Sequence, residues 1–117
     1  MDILKSNRGS RKCVAGAFIF SGRPDPTWEV GEVVVKKLEK IWNGLSEWGG
    51  ELPSAPPLGY RGCFVRCKPD DIEWFAYGSV VTMKTVKGHE SRMDKNRNFE
   101  RLVLDSAPEG ILPEGIL

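Results

Sequence analysis

Two arginines of this chain stand in short stretches rich in glycine and proline, where a side chain can be placed to bind an anion. Arg23 lies in the stretch SGRPDPTW, and Arg61 lies in GYRG. A guanidinium group is a planar fork of N–H donors that suits a carboxylate or a phosphate. Two arginines that converge at one end of a sheet form an anion site. In the alternative, Arg23 pairs with Asp25, Glu29 or a carbonyl and only stiffens the corner.

Two tryptophans stand beside these arginines along the chain. Trp28 ends the corner of residues 21–28, and Trp48 lies in a loop of residues 46–59 that is rich in glycine and proline. An exposed aromatic side chain on a stiff loop is a common anchor for a protein partner or a sugar ring. The alternative is that each ring covers an edge of the core. The predicted ligand-binding residues, which meet where the corner, the loop and residues 59–62 come together, are Arg23, Arg61, Trp28 and Trp48.

The cysteines predict an intracellular protein with free thiols. Cys13, Cys63 and Cys67 are an odd number, whereas small secreted domains usually carry an even and denser set. On a strand, Cys63 and Cys67 lie about 13 Å apart, too far for a disulfide or a shared metal. With one histidine and no CxxC pairs, a zinc site is not expected. We predict reduced, buried, inert thiols, no metal, no cofactor and a cytoplasmic location.

A second hypothesis is a small hydrolase or transferase that uses Asp70, Glu73, His89 or a cysteine. The acidic residues around Asp70 are also typical of a solvated turn, and no carboxylate near His89 in sequence can be named as its partner. The phosphate-binding patterns GxxxxGK[ST] and GxGxxG are absent from the sequence. We leave the enzyme class open and favour binding without catalysis.

A third hypothesis is nucleic-acid binding through the basic leader and residues 84–101. The latter segment contains six basic and three acidic residues, a net charge of +3. Interleaved charges of this kind are typical of an ordinary solvated face. The whole chain carries a net charge of only +1, which supplies no long-range field to attract nucleic acid or an anionic membrane. We therefore favour neither partner.

Hydrophobic patterning predicts the elements that hold these residues. Residues 13–20 are apolar at both odd and even positions, which indicates an inner strand. Apolar residues at helical spacing (Val34, Leu38, Ile41 and Leu45) predict an amphipathic helix that begins at residue 27 or 31 and ends near residue 45. The remaining predicted elements are strands at 60–67 and 72–83, a turn at 68–71, and a helix from an N-cap at Asp94 to about residue 107.

The elements together predict one α+β domain, a two-layer sandwich of a small sheet and two helices in the order β-α-β-β-α. Residues 1–11 form a flexible basic leader, residues 12–107 the domain, and residues 108–117 a tail in which PEGIL occurs twice. The tail is favoured to be frayed or loosely packed; the alternatives are an apolar strap that docks back on the domain and a short linear motif. Residues 1–20 imitate the charged and apolar regions of a signal peptide, but the apolar run contains Gly16 and ends in Phe20. A strand is therefore favoured.

The stretches SGRPDPTW and LGYRG resemble a pattern in small uncharacterised proteins, which carry a similar SGRP-[Asn/Asp]-P-x-W corner and a later GYRG. The resemblance covers about the central half of the chain and implies no activity. It implies that the corner and GYRG belong to one structural unit. From all these residues we predict a small cytoplasmic binding domain that recognises an anionic group or a protein partner.

Overall fold

The computed structural model describes residues 11–116, and the largest element in them is one antiparallel sheet of seven strands. Its strands are β1 (Lys12–Ala17), β2 (Thr27–Val30), β3 (Ser46–Glu47), β4 (Cys63–Lys68), β5 (Ile72–Tyr77), β6 (Val80–Thr85) and β7 (Gly88–Met93). They pair in the spatial order β2-β1-β4-β5-β6-β7-β3. Helix α1 (Glu32–Asn43) follows β2, and a 3-10 turn (Lys95–Arg97) leads into helix α2 (Asn98–Asp105). Within residues 11–116, neither helix has the length and apolar composition that crossing a lipid bilayer requires.

The predicted two-layer α+β sandwich was wrong, because the chain is mostly a seven-stranded antiparallel sheet with two short helices. Hydrophobic patterning does not predict β2, which has four residues, β3, which has two, or β7, whose sequence GHESRM has no apolar alternation. The segment predicted as one strand at 72–83 is divided into β5 and β6 at Gly78 and Ser79. Their positive φ values of 59° and 70° are those of a tight two-residue hairpin turn.

One face of the sheet carries the core. The register sets Ala15 of β1 opposite Val65 of β4, which lies opposite Trp74 of β5, and all three are buried. Buried side chains of both helices, including Leu38 and Phe99, belong to the same cluster. The predicted inner strand at 13–20 is confirmed for residues 12–17, since β1 lies between β2 and β4.

Both predicted helices are present, but the second begins at Asn98, after a 3-10 turn, and not directly after Asp94. α1 follows Gly31 and ends at Asn43, with Gly44 as the C-cap. Its fully buried residues are Val35, Leu38 and Trp42, whereas the predicted Val34, Ile41 and Leu45 are only partly buried. The residue at the N-cap of α2 is Arg97 and not the predicted Asp94. The Asp94 carboxylate nevertheless accepts hydrogen bonds from the first-turn amides of Phe99 and Glu100 at 2.9 and 3.0 Å.

The prediction of three reduced thiols was wrong, because Cys13 and Cys67 form a disulfide. These residues lie directly opposite each other on β1 and β4, with a Cα–Cα distance of 4.1 Å. Both are buried, at 3% and 1% exposure. Sequence spacing tests only the pair Cys63 and Cys67 on one strand, whereas pairing across strands depends on the register. Cys63 keeps a free, buried thiol.

Three phenylalanine rings cover part of the sheet face opposite the helices. Phe18 contacts Phe64 and Phe75, with ring centroids 5.2 and 6.0 Å apart. The Phe75 ring lies so close to Gly62 that a Cβ atom built there would be 2.6 Å from it, and Gly62 has a φ of 112°. Only glycine adopts such a backbone without strain. The rings lie beside the predicted corner and support its first residues.

The tail packs against the core more closely than its composition predicts. Leu112 and Ile116 are partly buried against the core cluster. A turn bond from the Ile111 amide to the Pro108 carbonyl, 3.2 Å long, folds the first PEGIL unit. Residues 1–10 of the predicted leader, and Leu117, lie outside the described residues.

Candidate functional site

The corner after β1 is closed by one carboxylate. Asp25 accepts hydrogen bonds from the backbone amides of Ile19 and Phe20, both at 2.7 Å. Burial acts to raise the pKa of Asp25, but the amide bonds from Phe20 and Ile19, together with the charge of Arg61, outweigh it and lower the pKa. Asp25 is therefore engaged in shaping the corner and is not the partner of Arg23.

Arg61 joins the GYRG stretch to the corner. Its Nη2 donates to the carbonyl of Phe20 at 2.7 Å, and its Nε donates to the carbonyl of Gly59 at 3.1 Å. Its backbone amide donates to the carbonyl of Phe18 at 2.7 Å, and the Phe18 amide donates to the Gly62 carbonyl at 2.8 Å. These bonds make one unit of two stretches that are about forty residues apart in sequence. They use two of the three guanidinium nitrogens of Arg61, and the third, Nη1, has no acceptor among residues 11–116.

Arg23 is exposed and stacks on an aromatic ring. Its guanidinium carbon lies 3.8 Å from the centroid of Phe20, a cation–π contact worth about 0.5–1 kcal/mol at an exposed site. Of the two carboxylates proposed as its partners, Asp25 binds amides, and Glu29 pairs with Lys12 at 3.4 Å. Among residues 11–116, no acceptor binds the N–H groups of Arg23. The ring fixes the guanidinium plane and leaves its edges open to an anion.

The two predicted tryptophans are not at this corner. Trp28 of β2 is 6% exposed, and its Nε1 donates to the Ser106 hydroxyl at 2.9 Å, so the alternative of core packing holds for it. Trp48 follows β3 at the opposite edge of the sheet from β2, where its Nε1 donates to the Glu51 carbonyl at 3.1 Å. The apolar groups at the corner are instead Phe20 and Leu58, which is 69% exposed.

A buried polar cluster lies beneath Tyr60 and was not predicted. Glu100 of α2 has no exposed surface, and Arg97 binds its two oxygens through Nε and Nη2 at 3.0 and 3.1 Å. The Tyr60 hydroxyl also donates to this carboxylate. The sequence contains a signal for this cluster, because Glu100 lies between Phe99 and Val103 on the apolar stripe of α2. A carboxylate on a buried stripe requires such partners.

The groups around this cluster are held in their neutral forms or tightly paired. Burial raises the pKa of the Cys63 thiol and of the Tyr60 hydroxyl, and burial also raises the pKa of Asp94 despite its two amide bonds. A fully buried thiol with a raised pKa is a poor nucleophile. The cluster anchors α2 to the start of β4 and presents no reactive group to solvent.

The residues of the hydrolase hypothesis are not brought together. Asp70 pairs with Arg11 at 3.4 Å, and Glu73 pairs with Arg66 at 3.2 Å. His89 is exposed on β7, separated from Glu73 of β5 by the intervening strand β6. In the described part of the chain, no three His, Cys, Asp or Glu side chains are grouped so that they could hold a metal ion.

The basic segment of the nucleic-acid hypothesis is partly neutralised by its own neighbours. Arg92 donates to Glu90 at 2.9 Å and to the carbonyl of Trp42 at 2.7 Å, and Arg97 binds Glu100. Of the leader, only Arg11 is described, and it pairs with three carboxylates, those of Glu32, Glu39 and Asp70. The remaining exposed cations, such as Lys87 and Arg101, are scattered.

Comparison with known protein families, with curated proteins and with solved structures found no match to this chain. The resemblance to small proteins with an SGRP-[Asn/Asp]-P-x-W corner therefore stays a prediction. The contacts of Arg61 with Phe18 and Phe20 are consistent with its one structural implication, that the corner and GYRG form a unit.

Proposed function

We propose that the protein is a small binding domain without catalytic chemistry, and that it recognises an anionic group at the corner formed by residues 18–25 and 58–62. The observation that carries this proposal is the position of Arg23, which is exposed, stacked on Phe20 and without a protein acceptor among residues 11–116. A guanidinium held in this way loses little conformational freedom when it binds a carboxylate or a phosphate.

The surroundings of Arg23 support the same role. Arg61 adds a second positive charge at the Phe20 carbonyl, and its Nη1 has no acceptor among residues 11–116. Leu58, which precedes Gly59 in sequence, is an exposed apolar side chain. The ligand class is therefore a carboxylate- or phosphate-bearing molecule with an apolar neighbour, such as an acidic side chain of a protein partner or an anionic small molecule.

A titration with simple anions tests the proposal. Inorganic phosphate and acetate are added separately to ¹⁵N-labelled protein at constant ionic strength, with chloride as the balancing ion. We expect saturable NMR shifts of the Arg23 Nε–H and the Gly22 amide in the wild type, and loss of the Gly22 shift in Arg23→Gln. The matched control is Arg101→Ala, an exposed arginine on α2, which keeps the response. Which of the two anions saturates first separates a phosphate ligand from a carboxylate ligand. Non-saturating shifts that survive in Arg23→Gln refute the proposal.

The compartment is a separate proposal. The odd cysteine count predicts the cytoplasm, where thiols stay reduced, but the Cys13–Cys67 pairing weakens that argument because disulfides persist in oxidising compartments. Because all three cysteines are buried, rapid alkylation of the producing cells lysed in denaturant decides between them. Alkylation of all three cysteines supports the cytoplasm, whereas alkylation of Cys63 alone supports an oxidising compartment.

A further inference from the structure

Residues 51–58, with the sequence ELPSAPPL, are the proline segment, an exposed stretch between β3 and β4. Every residue in it is exposed. Its backbone belongs to no helix or strand, and among residues 11–116 no backbone–backbone hydrogen bond involves it. Leu52 and Leu58, near its two ends, are 56% and 69% exposed. The proline segment therefore contributes no buried side chain to the core and no strand to the sheet.

The prolines make the segment stiff. The rings of Pro53, Pro56 and Pro57 hold φ near −65°. A residue before proline is excluded from the helical region and shifted toward extended or polyproline II geometry, which applies to Leu52, Ala55 and Pro56. In residues 52–57, only Ser54 escapes both restrictions. The polyproline II conformation is therefore favoured before any partner binds, and little entropy is lost on binding.

Contacts at its start, along its length and after its end hold the segment in place on the domain. The Trp48 amide donates to the Ser91 carbonyl at 2.9 Å, and its indole donates to the Glu51 carbonyl at 3.1 Å. Pro53 rests against the β5–β6 turn, since a Cβ atom on Gly78 would lie 2.7 Å from its Cβ. Beyond the segment, Arg61 binds the Gly59 carbonyl. These contacts hold the proline segment in one position on the surface of the domain.

We propose that the proline segment is a docking site for a partner protein with an aromatic-lined groove that reads polyproline II helices. With three residues per turn and a rise of 3.1 Å, the dipeptides Leu52-Pro53 and Ala55-Pro56 recur on one edge about 9 Å apart. Two adjacent apolar pockets in a groove fit this repeat. Pairing with a strand of a partner is disfavoured because three of the residues have no N–H to donate. The proposal does not depend on anion binding at the corner.

The test uses the full chain against a panel of purified SH3 and WW domains, with binding measured by biolayer interferometry. We expect at least one domain to bind the wild type, and Pro53→Ala/Pro56→Ala to weaken it about tenfold or more, which corresponds to about 1.4 kcal/mol. The matched control is Ser54→Ala, which removes no restriction and stays within about twofold. Arg23→Gln keeps the affinity, which separates this surface from the corner.

Thermal unfolding by circular dichroism should show that the double proline variant is folded, since Pro53 and Pro56 are exposed. The proposal is overturned if no domain of the panel binds the wild type, or if the double proline variant and Ser54→Ala bind equally well.

Discussion

Reduction of the Cys13–Cys67 disulfide should lower the free energy of unfolding by about 4 kcal/mol. The two cysteines are 54 residues apart in sequence, and closing a loop of this length removes about 14 cal/mol/K of entropy from the unfolded chain, or about 4 kcal/mol at 25 °C. The folded state should change little, because the ladder between β1 and β4 already holds these residues opposite each other. The effect therefore lies in the unfolded ensemble.

Urea denaturation with and without a phosphine reductant measures this difference. Tryptophan fluorescence is a suitable signal, since Trp28, Trp42 and Trp74 are buried. Cys63→Ala should keep the full response to reductant, whereas Cys13→Ala/Cys67→Ala should abolish it. Thiol titration of the unreduced, denatured protein should find one free thiol, that of Cys63. Three free thiols, or a change below about 1 kcal/mol on reduction, would refute the reasoning.

Three further predictions follow from buried or strained groups. Glu100→Ala should lower the free energy of unfolding, measured in urea, by about 3–5 kcal/mol, because the groups that bind its buried carboxylate lose their partner. A decrease below about 1 kcal/mol contradicts this. Because the pKa of Asp25 is lowered on folding, its stabilisation is present above the unfolded-state pKa and is lost as the pH falls through the folded-state pKa. Wild type should therefore lose more stability on acidification than Asp25→Asn, and parallel pH profiles contradict the assignment. Gly62 has a φ of 112°, and a Cβ atom there would lie 2.6 Å from the Phe75 ring. Gly62→Ala should therefore lower the free energy of unfolding by on the order of 1–3 kcal/mol, whereas Gly49→Ala, with open space around it, should leave it unchanged.

The proposed corner and the proline segment place two different recognition surfaces near each other. Residue 58 ends the segment, and the next residue, Gly59, accepts a hydrogen bond from Arg61 at the corner. A domain that binds only the proline segment should respond to the proline variants and not to Arg23→Gln, so the coupling energy between the two variants should be near zero. A double-variant cycle with any partner found in the domain panel measures that coupling.

Features that depend on neighbouring residues could be read from the linear chain. The amphipathic spacing places α1 correctly, Gly44 marks its end, and the Asp94 carboxylate binds first-turn amides of α2. The apolar run before the corner is an inner strand. In each case the physical cause is local, since periodicity, capping and turn geometry act over a few residues.

The folded arrangement alone decided which distant groups meet. The polar strand β7 becomes part of the sheet only because its backbone pairs with that of β6. Two cysteines on different strands form a disulfide only because the register of β1 and β4 aligns them. In the same way, Arg61 meets the Phe20 carbonyl and Arg97 meets Glu100 beneath Tyr60. Strand pairing and the partners of buried charge are set by long-range packing, which no pattern within one segment encodes.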